Sequence, residues 1–361
     1  MGPLMNEVEQ AGIRGLTRKS LPFEIIAKDF FEPLERLKSL FSQLIGNDDP
    51  QRIAFQPSVS YGIATVVKNM PLKKGGNIIL LKDQFPSNVL AFQELAKRED
   101  LDLKFIEPPT AFQNRSERWN EKLLDAIDQD TICVACPHTH WADGTIFNLA
   151  DIRQATWQND ALLIVDGTQS IGALPFSIND LNPDALVCAG YKFLLGPYSC
   201  ALSYFSSMFD NGQPLEYNWM ARKDSDQFGG LVEYQSKYRP KAYRYNVGEC
   251  SNFIMVPMLI KAIEQLLEWG IEPIQRYCSQ LISSSLDQIL EMGYQVATSG
   301  RANHLFGIYL PNDKSSDLVD TAFINAKVFV SKRGKSIRIS PHVYNSYADM
   351  EKLVECLKEG A

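Results

Sequence analysis

The chain has 361 residues, 45% apolar and 22% charged, with 36 basic against 43 acidic side chains and a formal net charge of −7. That apolar content excludes a disordered chain, and the acidic balance excludes a non-specific nucleic-acid binder, which neutralises phosphates with a basic surface. A bilayer-crossing helix needs roughly 20 successive apolar residues, and the longest candidate, Ile254–Leu267, is interrupted by Lys261 and Glu264.

Met1–Ser20 lacks the basic-then-apolar layout of a secretory leader, and Asn6 stands where a myristoylation signal needs Ser or Thr. Among the cysteines, Cys133, Cys136, Cys188 and Cys200 lie in or beside apolar runs, the usage expected of reduced thiols in a cytoplasmic protein.

From Arg52 to Phe205, short apolar runs alternate with longer segments of helical period. The runs predict strands at Arg52–Gln56, Asn77–Leu81, Leu103–Ile106, Thr131–Cys136, Ala161–Val165, Ala185–Ala189 and Ala201–Tyr204. Several are apolar throughout, as strands buried on two faces are. Between them, Val89–Arg98 and Glu117–Ile127 read as helices, giving an open, mostly parallel α/β sheet. Gly212–Tyr245 is polar and aromatic with few clear elements and reads as a long surface or interface excursion. Beyond about Arg244 a second region begins. Met255–Trp269 is an amphipathic helix with Pro257 in its first turn and Gly270 closing it. Ile274–Leu290 is another helix, Leu305–Leu310 and Ser336–Ile339 are strands of a smaller sheet, and Tyr347–Leu357 is a terminal helix.

Open α/β sheets bind ligands beyond the carboxyl ends of their strands. After the first run come Ser58, Val59 and Ser60, small hydroxyl residues opening a helix, which suits an anion. The second run is followed by Phe85-Pro86-Ser87-Asn88, the fourth by His138 to Gly144, the fifth by Asp166-Gly167-Thr168-Gln169, and the sixth by Gly190-Tyr191-Lys192. Singly these residues have ordinary readings: Asp166 as a helix cap, Phe85 as core, Ser58 and Ser60 as N-caps, Lys192 as a surface charge. Together they put a phosphate seat, aromatic plates, an acid, an amide and an amine on one rim. That set suits a flat, charged, phosphorylated cofactor. The dinucleotide-binding glycine fingerprint and the P-loop are both absent. A metal reading of His138, His140 and Asp143 competes, making the protein a metal-dependent hydrolase. It is weak, because a catalytic zinc takes three protein ligands and the remaining histidines, His304 and His342, are far along the chain. The Cys133–Cys136 pair is also poor for a metal, since a strand points those two side chains to opposite faces.

The stretch Val165-Asp166-Gly167-Thr168-Gln169-Ser170-Ile171-Gly172-Ala173-Leu174-Pro175, then Asp184, Gly190-Tyr191-Lys192 and Gly196-Pro197, resembles the class V aminotransferase family. Phe85-Pro86-Ser87 is similar to its kynureninase and isopenicillin N epimerase branches, and Arg338 to Asn345 followed by Asp349 to its substrate-carboxylate segment. The resemblance implies fold type I, dependence on pyridoxal 5'-phosphate (PLP), a large domain over 16–245, and a smaller α/β domain made of 1–15 and 246–361. It implies that Lys192 holds the cofactor aldehyde as a Schiff base, the internal aldimine, and shuttles the substrate proton. Asp166 would pair with the ring nitrogen, Gln169 with the ring oxygen, Phe85 would stack on one ring face and Thr168 cover the other. Ser58, Val59 and Ser60 would seat the phosphate, Arg338 the substrate carboxylate, and His140 and Trp141 would line the substrate pocket.

Three positions depart from the family pattern. Ala189 stands where a phosphate-binding Ser or Thr is common, Tyr191 replaces the usual His, and Glu249 occupies the place of a Thr sent across the dimer interface. Ser251 or Asn252 is expected to take over that contact in a homodimer. The reaction expected is amino transfer on an amino acid substrate, with a lyase, epimerase or kynureninase-like hydrolase as alternatives, or a relic that binds the cofactor without turnover. A cysteine desulfurase is disfavoured, because no cysteine lies between Ala326 and Arg338.

Overall fold

Burial on two faces explains why the apolar runs form strands. The computed structural model describes residues 1–311 and 316–359. In chain order the elements are α1 (Asn6–Arg18), α2 (Glu32–Leu44), β1 (Ile53–Gln56), α3 (Val59–Asn69), β2 (Asn77–Leu81), α4 (Leu90–Glu99), β3 (Asp102–Ile106), α5 (Arg115–Asp125), β4 (Thr131–Pro137), α6 (Leu149–Gln158) and β5 (Leu162–Asp166). Then follow α7 (Ile178–Leu181), β6 (Ala185–Ala189), β7 (Ala201–Phe205), α8 (Met255–Trp269), α9 (Ile271–Glu291), β8 (Phe306–Tyr309), α10 (Ser316–Ala326), β9 (Ser331–Arg333), β10 (Ser336–Ile339) and α11 (Tyr347–Glu359). All seven strands expected of the first sheet form, within a residue or two of their predicted ends.

The large sheet has the order β1-β7-β6-β5-β4-β2-β3. Every neighbouring pair is parallel except those made by β7, which runs against both β1 and β6. The reason is the connection. A parallel return needs a crossover, usually a helix, whereas β6 and β7 are joined by turns alone over Gly190–Cys200. Side chains alternate between two cores: Ile79, Leu81, Val134 and Cys136 share one with residues of α2, α5 and α8, while Ile78, Leu80, Cys133 and Ala135 share the other with residues of α3 and α4. Cys133 and Cys136 therefore lie on opposite faces, as the strand period requires. Edge strand β3 exposes Asp102 and leaves Lys104 half-buried, charges that discourage pairing with another chain.

The second sheet, β8-β10-β9, is antiparallel and packs on α9, α10 and α11 around Phe306, Ile308, Ile337 and Leu353. The two cores meet along α9, where Cys278 belongs to the first and Leu281 to the second. Helices α1 and α2, which the sequence pattern did not single out, both pack on α8. Small residues allow the close approach of α1: a Cβ on Gly15 would stand 2.2 Å from the Phe253 carbonyl oxygen. The segment 212–245 has neither strand nor α-helix, only short 3-10 turns, and leaves Val232 and Tyr234 almost fully exposed.

Candidate active site

The turns that follow β1, β2, β5 and β6, with the residues leading into β7, close around a cavity of about 260 Å³. Lys192, Asp166, Gln169, Thr168, Phe85 and Tyr191 line it, and Ser58, Val59 and Ser60 close one end. The amine and the acid on which the sequence argument depends thus share one cavity.

Asp166 is the last residue of β5 and is buried. Its carboxylate accepts hydrogen bonds from the Thr168 amide at 2.9 Å and from the Asn88 side-chain amide. Burial raises its pKa, although Thr168, Lys192 and Asn88 oppose this. Lys192 follows β6, with its Nζ 5.5 Å from the centre of the Phe85 ring. Desolvation lowers its amine to about 8 against a pull from Asp166, and the nearby Arg338 and Arg333 charges add to the fall. Burial outweighs their mutual attraction, so the acid and the amine are each displaced toward neutrality.

Ser58 caps α3, its Oγ accepting from the Tyr61 amide at 3.2 Å and lying 2.9 Å from Ser60 Oγ. The first amides of a helix have no intrahelical acceptor, so Val59 and Ser60 offer donors of the kind an anion takes. Thr168 Oγ1 accepts from the Ala189 amide at 3.3 Å. Tyr191 packs against Tyr198 with ring centres 4.5 Å apart, and its phenol is pushed up by burial first and then by Tyr198 and Asp166. Ser199, on the turn between β6 and β7, also lines the cavity, with a positive φ of 62°. It adds a hydroxyl that the sequence pattern did not single out.

At the mouth, Trp141 meets Phe85 edge-on at 5.4 Å and donates its indole N–H to the Asp83 carbonyl at 2.6 Å. Arg338, on β10 and half-buried, donates Nη1 to the Trp141 carbonyl at 3.0 Å. The other expected residues lie elsewhere. His140 is buried behind the rim, its ring 5.0 Å from Trp119 and its Nδ1 3.3 Å from Asp143, which Arg115 also engages at 2.9 Å. His138 faces a separate, larger cleft with Phe176. No group of three or more His, Cys, Asp or Glu side chains is placed to hold a metal among the described residues. Ser251 is outside this cavity, its Oγ 3.9 Å from Met220 Sδ, and Asn252 caps α8 by accepting from the amides of Ile254 and Met255.

Three positioning groups escaped the sequence reading. Asn88 holds Asp166. His304, brought from beyond α9, stands with Nε2 2.7 Å from the Gln169 carbonyl and Nδ1 2.7 Å from Gln275 Nε2. A carbonyl on one side and an amide N–H on the other fix a neutral ring with the proton on Nε2, and burial lowers its pKa to about 4. Arg333 lies 5.2 Å from the Trp141 ring centre. Asn88 sat in the turn already flagged after the second strand; His304 and Arg333 carried no local signal.

The desolvated acid without a contacting cation, the neutral-leaning amine, the flanking aromatics and the capped helix start fit a phosphorylated pyridine aldehyde. Comparison with known proteins points the same way. The sequence model of the family described as Aminotransferase class-V matches residues 24–353. An uncharacterised aminotransferase of Bacillus subtilis is 23% identical over 91% of this chain and 84% of its own length. A probable cysteine desulfurase of Pyrococcus abyssi is 25% identical over 87% of this chain and 80% of its own. Among solved structures, the apo cysteine desulfurase of Thermococcus onnurineus superposes with a TM-score of 0.81 at 18% identity, covering 99% of this chain and 94% of that one. The cystine C–S lyase C-DES superposes at 0.87 and 16% identity, covering 99% and 95%; another structure of C-DES carries glycine covalently linked to its PLP cofactor.

Proposed function

The chain belongs to the class V aminotransferase family, and we propose that it is a PLP-dependent enzyme that transfers the amino group of an amino acid, with Lys192 as the residue that holds the cofactor. The observation that carries this reading is the meeting of Lys192, Asp166, Gln169 and Phe85 in one cavity. When bound, the cofactor supplies an electrophilic aldehyde and a ring that withdraws electrons from the substrate α-carbon. The protein supplies the rest. Asp166, desolvated and steadied by Asn88 and Thr168, offers its charge to a ring N–H. Gln169, whose backbone is fixed by His304, presents a side-chain donor to the ring oxygen. Phe85 packs on a ring face, and Ser58, Val59 and Ser60 hold the phosphate. Arg338 grips the substrate carboxylate through its planar fork.

Amino transfer asks for one base that lifts a proton from one carbon and delivers it to another. With its amine near 8, about a tenth of Lys192 is free base at pH 7, far more than of an ordinary lysine at about 10.4. All seven cysteines are buried, and Cys278 and Cys356 lie within α9 and α11, which speaks against a mobile sulfur-accepting thiol. We further propose a homodimer in which Ser251 serves the partner's phosphate seat; light scattering should give twice the chain mass, and a monomeric mass would remove that role.

The deciding experiment is spectroscopic and chemical. The purified protein should absorb in the near-visible and bleach with borohydride, and Lys192→Ala should lose that band while remaining folded. An amino donor should then yield its 2-oxo acid, with the amino group recovered on an added 2-oxo acid. Release of ammonia and pyruvate, or of a thiol, would reassign the reaction to a lyase, and racemised substrate to an epimerase. A colourless protein with stoichiometric zinc would end the PLP reading.

A further inference from the structure

The β9–β10 hairpin brings two arginines against Trp141, next to the Lys192 cavity and close enough for their charges to act on Lys192. Its register pairs Arg333 with Ser336 and Arg338 with Ser331. Residues two apart on a strand share a face, so Arg333, Ser336 and Arg338 stand on the same side, the arginines as diagonal neighbours roughly 7–8 Å apart. The opposite face sends Ile337 into the small-domain core. The arginine face meets the large domain at the loop after β4. Ser336 Oγ donates to the Ala142 carbonyl at 3.3 Å, Arg338 to the Trp141 carbonyl at 3.0 Å, and Arg333 lies over the Trp141 ring. Trp141 leads to Phe85, and Phe85 to Lys192.

Among the described residues, no acid pairs with either arginine. The hydrogen bonds of both guanidiniums go to backbone carbonyls, Arg333 to Lys332 at 2.7 Å and Arg338 to Trp141. The Nε of each is buried without a hydrogen-bond partner, and neither arginine forms an ion pair among the described residues. Asp320, the acid that the hairpin does engage, pairs with Lys332, whose strand position is on the other face. Two like charges held close and partly withdrawn from water repel one another, and Lys192 adds a third when protonated. One α-carboxylate satisfies one planar fork, which leaves the second open.

We propose that the substrate is an α-amino acid with a second acidic group on its side chain, and that Arg333 is the specificity-determining residue that binds that group while Arg338 takes the α-carboxylate. This rests on the reading of Lys192 as the cofactor lysine.

The test titrates PLP-loaded protein with aspartate and glutamate against asparagine and glutamine, following the near-visible band. The acids should bind roughly ten- to a hundredfold tighter than their amides, the worth of one hydrogen bond between charged groups. Arg333→Gln should lower affinity for the acids by about that factor and more than it lowers affinity for the amides, with Arg333→Lys recovering part. Arg338→Gln should weaken acids and amides alike. In parallel, succinate and glutarate should raise the melting temperature of the cofactor-free protein more than butyrate does, and Arg333→Gln should remove the difference. Equal binding of acids and amides, equal loss of both in Arg333→Gln, or equal shifts by di- and monocarboxylates overturns the proposal. Failure of the visible band to form would instead sink the Lys192 reading, and the carboxylate arm still decides the role of Arg333.

Discussion

Lys192 is a lysine whose surroundings change its chemistry. Withdrawal from water outweighs the attraction of Asp166, so the amine loses its proton near 8 instead of near the solution value of about 10.4. A lysine with a lowered pKa is free base above that value and protonated below it. Uptake of PLP by the cofactor-free protein should therefore accelerate as pH rises through about 8 and level off above it. Stopped-flow absorbance across pH 6.5 to 10 checks this, and an inflection near 10 would show an unperturbed amine. Asp166 and Lys192 were legible in the sequence because strand-end positions converge by topology. Asn88 was visible as part of a turn but not as the partner of Asp166, because a contact spanning 78 residues leaves no local periodicity.

At the scale of elements, the turn after Gln169 has to pass very close to the turn that carries Lys192. Gly172 has a φ of +95°, and a Cβ there would stand 2.2 Å from the Phe193 carbonyl oxygen. Backbone cannot yield as a flexible side chain does, and the left-handed region already disfavours other residues. Gly172→Ala should destabilise the protein by on the order of 2 kcal/mol or more and loosen cofactor retention. Gly229→Ala, with nothing within 4 Å of the added carbon, should stay within about 0.5 kcal/mol. Urea denaturation of both variants makes the comparison. The glycine was legible within the family-like stretch from Val165 to Pro175; its steric reason was not, since the neighbour that forbids a side chain comes from another turn. The β9–β10 hairpin is similar. Its strand β10 was predicted, but β9 is only three residues long and lacks an apolar alternation to mark it.

For the whole molecule, histidine burial sets the response to acid. His138, His304 and His342 each have their pKa lowered to about 4 by desolvation, and the His304 charge lowers the other two further. Unfolding releases them to the ordinary value of about 6.5. The unfolded chain then binds more protons, so the stability that neutral burial maintains is complete above about 6.5 and is lost as pH falls toward 4. Between pH 7 and pH 5 the loss should be about 2 kcal/mol per histidine. Urea midpoints at the two pH values measure it. His304→Gln, which keeps a donor and an acceptor, should flatten the slope by one histidine's share; an unchanged slope would mean that His304 already titrates normally.

The sequence by itself determined the seven strands, the parallel layout and the rim on which acid, amide, aromatic and amine converge. Each of these follows from local pattern: apolar runs of strand length, turn residues at their ends, and a topology that brings carboxyl ends together. Tertiary structure alone decided what surrounds those groups. It buried His140 against Trp119 and Asp143 instead of leaving it on the rim, brought His304 under Gln169, and set Arg333 beside Arg338 over Trp141. Such contacts join residues far apart in the chain, and the desolvation that shifts a proton and the pairing of two arginines on one face are properties of that assembled environment.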